Sequence, residues 1–94
     1  MAFDRYGGYT DELTGQFRDG GDFVAQTGTD FAQRSLPQSS GNRPLTTYVV
    51  VREIPNVQSG QTAPWFGSPG GGFQHKLPNS INYLLDNDFI RILE

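Results

Sequence analysis

The apolar positions of this chain fall into short groups, and no single period runs for long. The clearest group is Thr46-Thr47-Tyr48-Val49-Val50-Val51-Arg52-Glu53-Ile54, β-branched or aromatic for most of its length and polar toward its ends. Such side chains suit a pleated, packed surface, and a run this apolar predicts a strand placed centrally in a sheet. Pro55-Asn56 ends it. Phe73–Leu77, stopped by Pro78, and Phe89–Leu93, which follows a turn at Asn87-Asp88, predict two more strands. Between them Ile81, Leu84 and Leu85 fall on one face at helical spacing. Asn79 or Ser80 precedes them as a cap, so a short helix is predicted over Ile81–Asp86.

The first half of the chain is less regular. Met1–Gly8 reads as an extended piece ending in a turn at Gly7-Gly8. Thr10-Asp11-Glu12-Leu13 predicts one helical turn capped by Thr10. Asp22–Ala25 reads as a short strand followed by a turn over Gln26–Thr29. Phe31–Leu36 reads as one helical turn halted by Pro37, since the residue before a proline is pushed out of the helical region. Gln38–Pro44 reads as an exposed loop, and Val57–Gln61 as a turn.

One segment resists both regular structures. Ala63–Gln74 holds the only Trp, two Phe, two Pro and four Gly in twelve residues. Proline fixes φ and removes a donor, whereas glycine opens φ > 0 and lets other groups approach the backbone. Two readings fit. The segment is a shaped pocket wall ending on the amide of Gln74, or a Gly-rich hairpin whose Trp65 and Phe66 support the core.

Composition narrows the chemistry. Ninety-four residues make one small domain. The absence of cysteine excludes disulfides, cysteinyl zinc sites and a thiolate nucleophile. His75 is the one histidine, so poly-histidine metal sites are excluded as well. The net charge of −3 is a poor match to nucleic acid as a polyanion. No apolar run approaches the ~20 residues of a membrane span, and the first residues carry no basic-then-apolar leader, so export would be directed from outside this stretch.

The glycine run fails both common phosphate-binding patterns. GxxxxGK[ST] needs a Lys and a hydroxyl where Phe73-Gln74 stand, and GxGxxG is absent. No carboxylate pair can be named for acid–base work. His75 adjoins Gln74, and neighbours on a strand face opposite sides, which sets the two apart. Arg5 reads either as a surface partner of the adjacent Asp4 or as an anion contact through its forked guanidinium.

In order along the chain, Asp4-Arg5-Tyr6-Gly7, Arg34-Ser35-Leu36-Pro37, Tyr48-Val49-Val50-Val51 with Ile54-Pro55, Ser59-Gly60, Ala63–Gln74 and Leu84-Leu85 closely resemble the TNT domain family, named after the tuberculosis necrotizing toxin. The resemblance runs from about Asp4 to Leu93. It implies an α+β fold, mainly antiparallel β, in which two small sheets, a palm and a thumb, enclose a cleft beside one or two short helices. It implies an NAD(P)+ glycohydrolase that splits the nicotinamide–ribose bond, with NAD+ or NADP+ as substrate and no cofactor or metal. Such domains commonly end longer secreted or contact-delivered toxins that act in the target cytoplasm, and bacterial members are typically paired with an immunity protein that blocks the cleft. Residues 1–94 would then be one such C-terminal module, monomeric and used in interbacterial or host-directed competition. Transfer of ADP-ribose to a protein, or NAD binding without turnover, are the alternatives.

Carried over residue by residue, the resemblance implies catalytic roles for Gln74, at the nicotinamide ribose, and for Arg34. It implies substrate contacts from Arg5, Tyr6, Gly71, Gly72 and an aromatic residue. Phe17 takes the aromatic slot if about four residues are inserted, with Tyr9 the rival. The functional histidine that some members carry ahead of the central strand is absent, and Pro44–Thr47 occupy that region.

Overall fold

A computed structural model describes residues 2–64 and 70–93; Trp65 and Phe66 lie outside the described residues. The chain builds a six-stranded sheet around its first strand, β1 (Ala2–Tyr6). β4 (Phe23–Gln26) and β5 (Leu45–Val50) flank β1, β7 (Phe73–Lys76) and β6 (Gln58–Gln61) extend the β4 side, and β8 (Ile90–Ile92) closes the β5 side, giving the order β6-β7-β4-β1-β5-β8. Every pairing is antiparallel. A separate two-stranded sheet, β2 (Tyr9–Thr10) with β3 (Phe17–Arg18), stands apart as a hairpin. Two sheets, mainly antiparallel, were expected, and the structure makes them unequal, six strands against two.

Strand alternation assigns the two faces of the large sheet. The registers Phe3↔Tyr48 and Tyr48↔Ile92 put these residues on one face. Val24 and Ile90 share it, and Phe3, Val24, Tyr48 and Ile90 are all buried there against Leu77, Ile81 and Leu84. The Phe3 and Tyr48 rings lie 5.8 Å apart. Each buried side chain of this kind is worth roughly 1.5–3 kcal/mol of transfer free energy, so this face carries the fold.

The helix α1 (Ile81–Asp86) covers that face where its apolar spacing predicts. Ser80 caps it, its hydroxyl accepting the Tyr83 N–H at 3.2 Å. Two further first-turn donors are satisfied by the segment before β4: Ile81 N–H donates to the Gly21 carbonyl at 2.9 Å and Asn82 N–H to the Asp19 carbonyl at 3.0 Å. Because the free donors of a helix start need partners, α1 is fastened to residues 19–21.

Three local expectations are corrected. The single helical turn expected over Thr10–Leu13 forms over Glu12–Thr14 and is capped by Asp11, not Thr10. Gly15 N–H donates to the Asp11 carbonyl at 2.8 Å, and the Asp11 carboxylate accepts the Leu13 and Thr14 N–H groups at 2.8 and 3.2 Å, within the β2–β3 hairpin. An Asp side chain is a favoured cap for such a turn. Val57–Gln61 is not a turn but contains β6, an edge strand exposed throughout. Without an apolar face its sequence carries no alternation to read. The loop Gln38–Pro44 contains a 3-10 helix over Gln38–Asn42. The strand expected over Thr46–Ile54 is β5, and it stops at Val50 because the Val51 and Arg52 N–H groups both turn to the Phe89 carbonyl, at 2.9 and 3.2 Å.

Candidate functional site

The second face of the large sheet carries a different set of residues. The registers Thr47↔Asp4, Asp4↔Ala25, Ala25↔Gln74 and Gly60↔Gln74 line up one row across five strands. Ala25 and Gly60 are small, so the row is low beside Gln74. Two residues along each strand, Tyr6, Phe23 and Lys76 point to the same face. A cleft here is lined by Asp4, Tyr6, Phe23, Ala25, Arg34 and Gln74, among others.

Arg34 arrives from outside the sheet. It ends the 3-10 helix Phe31–Arg34, which crosses this face, and the next residue, Ser35, turns the chain with φ at 54°. The Arg34 guanidinium is nearly buried and lies 2.5 Å from the equally buried Asp4 carboxylate. Its Nε donates to the Thr29 carbonyl at 2.9 Å. Its Cζ lies over the Tyr6 ring, 5.0 Å from the centre, and that ring in turn stacks on Phe31 at 5.2 Å. Guanidinium stacking on an aromatic face is favourable and holds the fork in one orientation.

The glycine run anchors this arrangement through its backbone. Gly72 N–H donates to the Gln33 carbonyl at 3.1 Å, Gly71 N–H to the Thr62 carbonyl at 2.9 Å, and Gly70 N–H to the Ala32 carbonyl at 3.2 Å. Thr62 donates its hydroxyl to the Gln33 carbonyl as well. The N–H groups of Gly70 and Gly72 are thus spent on the helix that bears Arg34, and that of Gly71 on Thr62. A side chain at Gly72 would meet the Thr29 methyl at 2.7 Å and the Gln33 carbonyl at 2.9 Å. Glycine is needed there for close approach.

Arg5 takes the other side of the sheet. It is one residue from Asp4, so its side chain leaves β1 on the helix face. Nε donates to Asp19 at 2.6 Å and Nη1 to the Phe23 carbonyl at 3.0 Å. Gly7 and Gly21 flank the guanidinium so closely that a Cβ at Gly21 would lie 2.0 Å from it. The neighbours Asp4 and Arg5 are therefore not a pair: Asp4 serves Arg34, and Asp19 serves Arg5. Arg5 and Tyr6 border both the cleft and a polar groove of about 370 Å³ that also reaches Tyr9, Gly20, Gly21, Ser40 and Arg43.

The two candidate aromatics of the hairpin separate. Phe17 packs against the hydrophobic core, and its ring occupies the space a side chain at Gly8 would need, 2.3 Å from that Cβ position. Tyr9 is 57 % exposed and borders the polar groove. Thr46 and Thr47, in the region where some family members carry histidine, pair with Arg5 and Asp4. His75 lies on the face opposite Gln74, and its Nδ1 is 2.6 Å from the Ser59 hydroxyl. Among the described residues no group of three His, Cys, Asp or Glu could hold a metal ion.

The sequence did not reveal Asp4 and Asp19 as the buried partners of the two arginines. Alternation in β1 is the signal that separates Asp4 from Arg5, but it cannot say which distant residue meets each. Phe23 at the cleft was missed for the same reason.

A half-buried amide, a buried guanidinium, two aromatic rings and a small floor make a site for a ligand that combines a flat ring, hydroxyls and an anionic group. The fold defines a small α+β domain with its cleft on the sheet face away from the helix. The chain belongs to the tuberculosis necrotizing toxin (TNT) family, whose model matches residues 1–93. It is 35% identical over 81 residues to a conidial surface nicotinamide adenine dinucleotide glycohydrolase of Aspergillus fumigatus, covering 79% of this chain and 34% of that protein. It also resembles the structure of tuberculosis necrotizing toxin complexed with its immunity factor, with a TM-score of 0.69 and 23% identity over 96% of this chain and 46% of that one. The chain thus spans about a third of the fungal relative and under half of the toxin chain.

Proposed function

We propose that this domain is an NAD(P)+ glycohydrolase. The observation that carries the reading is the placing of Gln74 and Arg34 on one cleft of the large sheet, in a chain of the TNT family with a fungal NAD glycohydrolase relative. That relative's activity favours hydrolysis over transfer of ADP-ribose to a protein.

The reaction breaks the bond between C1′ of the ribose and N1 of nicotinamide. The bonding electrons leave with nicotinamide, which becomes neutral, and positive charge develops at C1′. Water adds there and loses a proton, giving ADP-ribose, nicotinamide and H⁺. A leaving group that is already cationic needs little acid catalysis, so the work of the site is to hold the ribose, exclude bulk water and stabilise charge. Gln74 orients the ribose hydroxyls or the water. Arg34 anchors the pyrophosphate in the cleft and Arg5 adds to it from the border between the cleft and the polar groove, each held by its own carboxylate. Gly72 serves the site by fixing the helix that ends in Arg34, Gly71 by holding Thr62, whose hydroxyl bonds the same Gln33 carbonyl, and Tyr6 by lying against the Arg34 guanidinium.

The domain acts, on this reading, as the toxin module of a longer protein, delivered into a target cell where it depletes NAD. Its partner is an immunity protein, in line with the structural relative being complexed with its immunity factor, and the cleft is where we place that partner. Incubation of the purified domain with NAD+ and with NADP+, followed by chromatography, tests the activity. Nicotinamide and ADP-ribose should form in equal amounts from NAD+, and Gln74→Ala should abolish both. Unchanged dinucleotide at micromolar enzyme over hours would overturn the reading.

A further inference from the structure

The polar groove beyond Arg5 and Tyr6 carries a charge that nothing in it answers. Its lining includes Arg5, Asp19, Ser40 and Arg43. Asp19 is the one carboxylate in that lining, and both its oxygens are taken. Oδ2 accepts from Arg5 Nε at 2.6 Å and Oδ1 from the Gly21 N–H at 2.9 Å. Asp19 and Arg5 therefore cancel, and the charge of Arg43 is left over. Among the described residues Arg5, Arg18 and Arg34 each hold a carboxylate and Arg52 lies over the Phe89 ring, whereas Arg43 has no such partner. A groove of net positive charge runs against the charge of the whole chain, which is −3.

Arg43 is placed by its backbone. Its N–H donates to the Ser40 carbonyl at 3.0 Å, and the Pro44 carbonyl accepts the Gly7 N–H at 3.0 Å. Its φ and ψ, −84° and 154°, are the extended values favoured before a proline. The base of the side chain is thereby fixed beside the end of β1, while the residue stays exposed. Ser40, on the 3-10 helix Gln38–Asn42, brings a hydroxyl to the same groove. Arg5 adds a further donor. Its Nε and Nη1 are spent on Asp19 and the Phe23 carbonyl, but Nη2 lies between Gly7 and Gly21 with no partner among the described residues. Guanidinium donors beside a hydroxyl are the chemistry that binds a phosphate group.

We propose that this groove is the subsite for the 2′-phosphate of NADP+, and that Arg43 is the residue that favours NADP+ over NAD+. This rests on the glycohydrolase reading. Arg5 borders both the cleft and the groove. A dinucleotide with its nicotinamide ribose at Gln74 and its pyrophosphate at Arg34 and Arg5 therefore has its adenosine half in the groove. In NAD+ the ribose there carries a neutral 2′-hydroxyl. In NADP+ it carries a phosphate monoester, a group that adds about −1.5 to −2 charge at pH 7. An uncompensated guanidinium answers that group and has no counterpart in NAD+. The groove is remote from the bond that breaks, so Arg43 acts on substrate binding rather than on cleavage.

The experiment compares turnover of NADP+ and NAD+ by wild type, Arg43→Gln and Arg43→Lys. Calorimetry alongside measures binding of 2′-phospho-ADP-ribose and of ADP-ribose, which lack the reacting bond. Arg43 is exposed, so both variants are expected to fold. One charge-assisted contact corresponds to roughly tenfold in affinity, so wild type should favour NADP+ about tenfold in kcat/KM, through KM. Arg43→Gln should bring the ratio of the two substrates close to one, and Arg43→Lys should keep most of the preference. Raised salt should erode it. The phosphorylated ADP-ribose should bind more tightly than ADP-ribose by the same factor. A ratio near one in wild type, or a ratio unmoved by Arg43→Gln, overturns the proposal. If neither dinucleotide is hydrolysed while 2′-phospho-ADP-ribose still binds more tightly through Arg43, the glycohydrolase reading falls and the subsite stands. No binding of either ADP-ribose compound ends the proposal whatever the turnover.

Discussion

The carboxylate of Asp4 lies 2.5 Å from the guanidinium of Arg34, thirty residues away along the chain, and neither is more than 6% exposed. The second oxygen of Asp4 accepts the Gly28 N–H at 3.1 Å. One buried carboxylate thus ties the central strand, the turn after β4 and the arginine of the cleft. Because breaking a buried pair strands a charge, Asp4→Ala is expected to destabilise the domain by about 3–5 kcal/mol, read as a shift in urea midpoint. Asp4→Asn keeps the acceptor for Gly28 and should cost less. An Asp4→Ala protein as stable as wild type would mean the pair does not hold the cleft.

Ala25 is the floor beside Gln74, and its smallness leaves the cleft open. Ala25→Val suits a strand but puts two methyl groups next to the amide. The expected result is a folded protein with NAD+ turnover reduced by about 10²-fold, the effect of misplacing reacting groups by about 1 Å. Circular dichroism and the chromatographic assay check the two halves. Full activity would show that substrate does not lie over Ala25.

Two glycines near the site should respond in opposite ways. Gly72→Ala forces a methyl group to within 2.7 Å of Thr29 and 2.9 Å of the Gln33 carbonyl, and overpacking of this kind costs about 1–3 kcal/mol. Gly60→Ala meets open space at a residue of β6 without positive φ, so it should be neutral or slightly stabilising. Melting temperatures of the two variants decide the matter, and equal losses would contradict the close approach at Gly72.

The hairpin is tied to α1 by a forked pair, Arg18 to Asp86, at 3.0 and 3.2 Å. The hydrogen bond and charge of Arg18 hold the Asp86 carboxyl below its ordinary value. A folded pKa below the unfolded one means that the pair stabilises above the unfolded value and that this stabilisation is lost as pH falls through the folded value. An NMR titration should find Asp86 depressed in wild type, returned to the ordinary range in Arg18→Gln, and less depressed at high salt, since the pair is exposed. An Asp86 pKa unchanged by the substitution would show that the hairpin is not tethered there.

The apolar elements were legible in the chain itself. Ile81, Leu84 and Leu85 with Ser80 before them define α1, and the β-branched run after Thr46 defines β5, because in both cases the period and the cap are local properties. The turn over Glu12–Thr14 was legible but its cap was not, because Asp11 rather than Thr10 accepts its first N–H groups. Gln58–Gln61 was not legible, since a polar edge strand takes its structure from pairing with β7 rather than from its own side chains.

The sequence by itself determined the family, the presence of Arg5, Arg34 and Gln74 in their motifs, and the exclusion of thiol and poly-histidine chemistry. Tertiary structure decided how these residues are used. Alternation along β1 sends Asp4 and Arg5 to opposite faces, so adjacent opposite charges become halves of two separate pairs, with Arg34 and with Asp19. The row Asp4–Ala25–Gln74–Gly60 exists only because four strands, distant in sequence, pair in one register. A register is set by long-range packing of the opposite face, on Phe3, Val24 and Tyr48, and a single strand read alone carries no record of its neighbour.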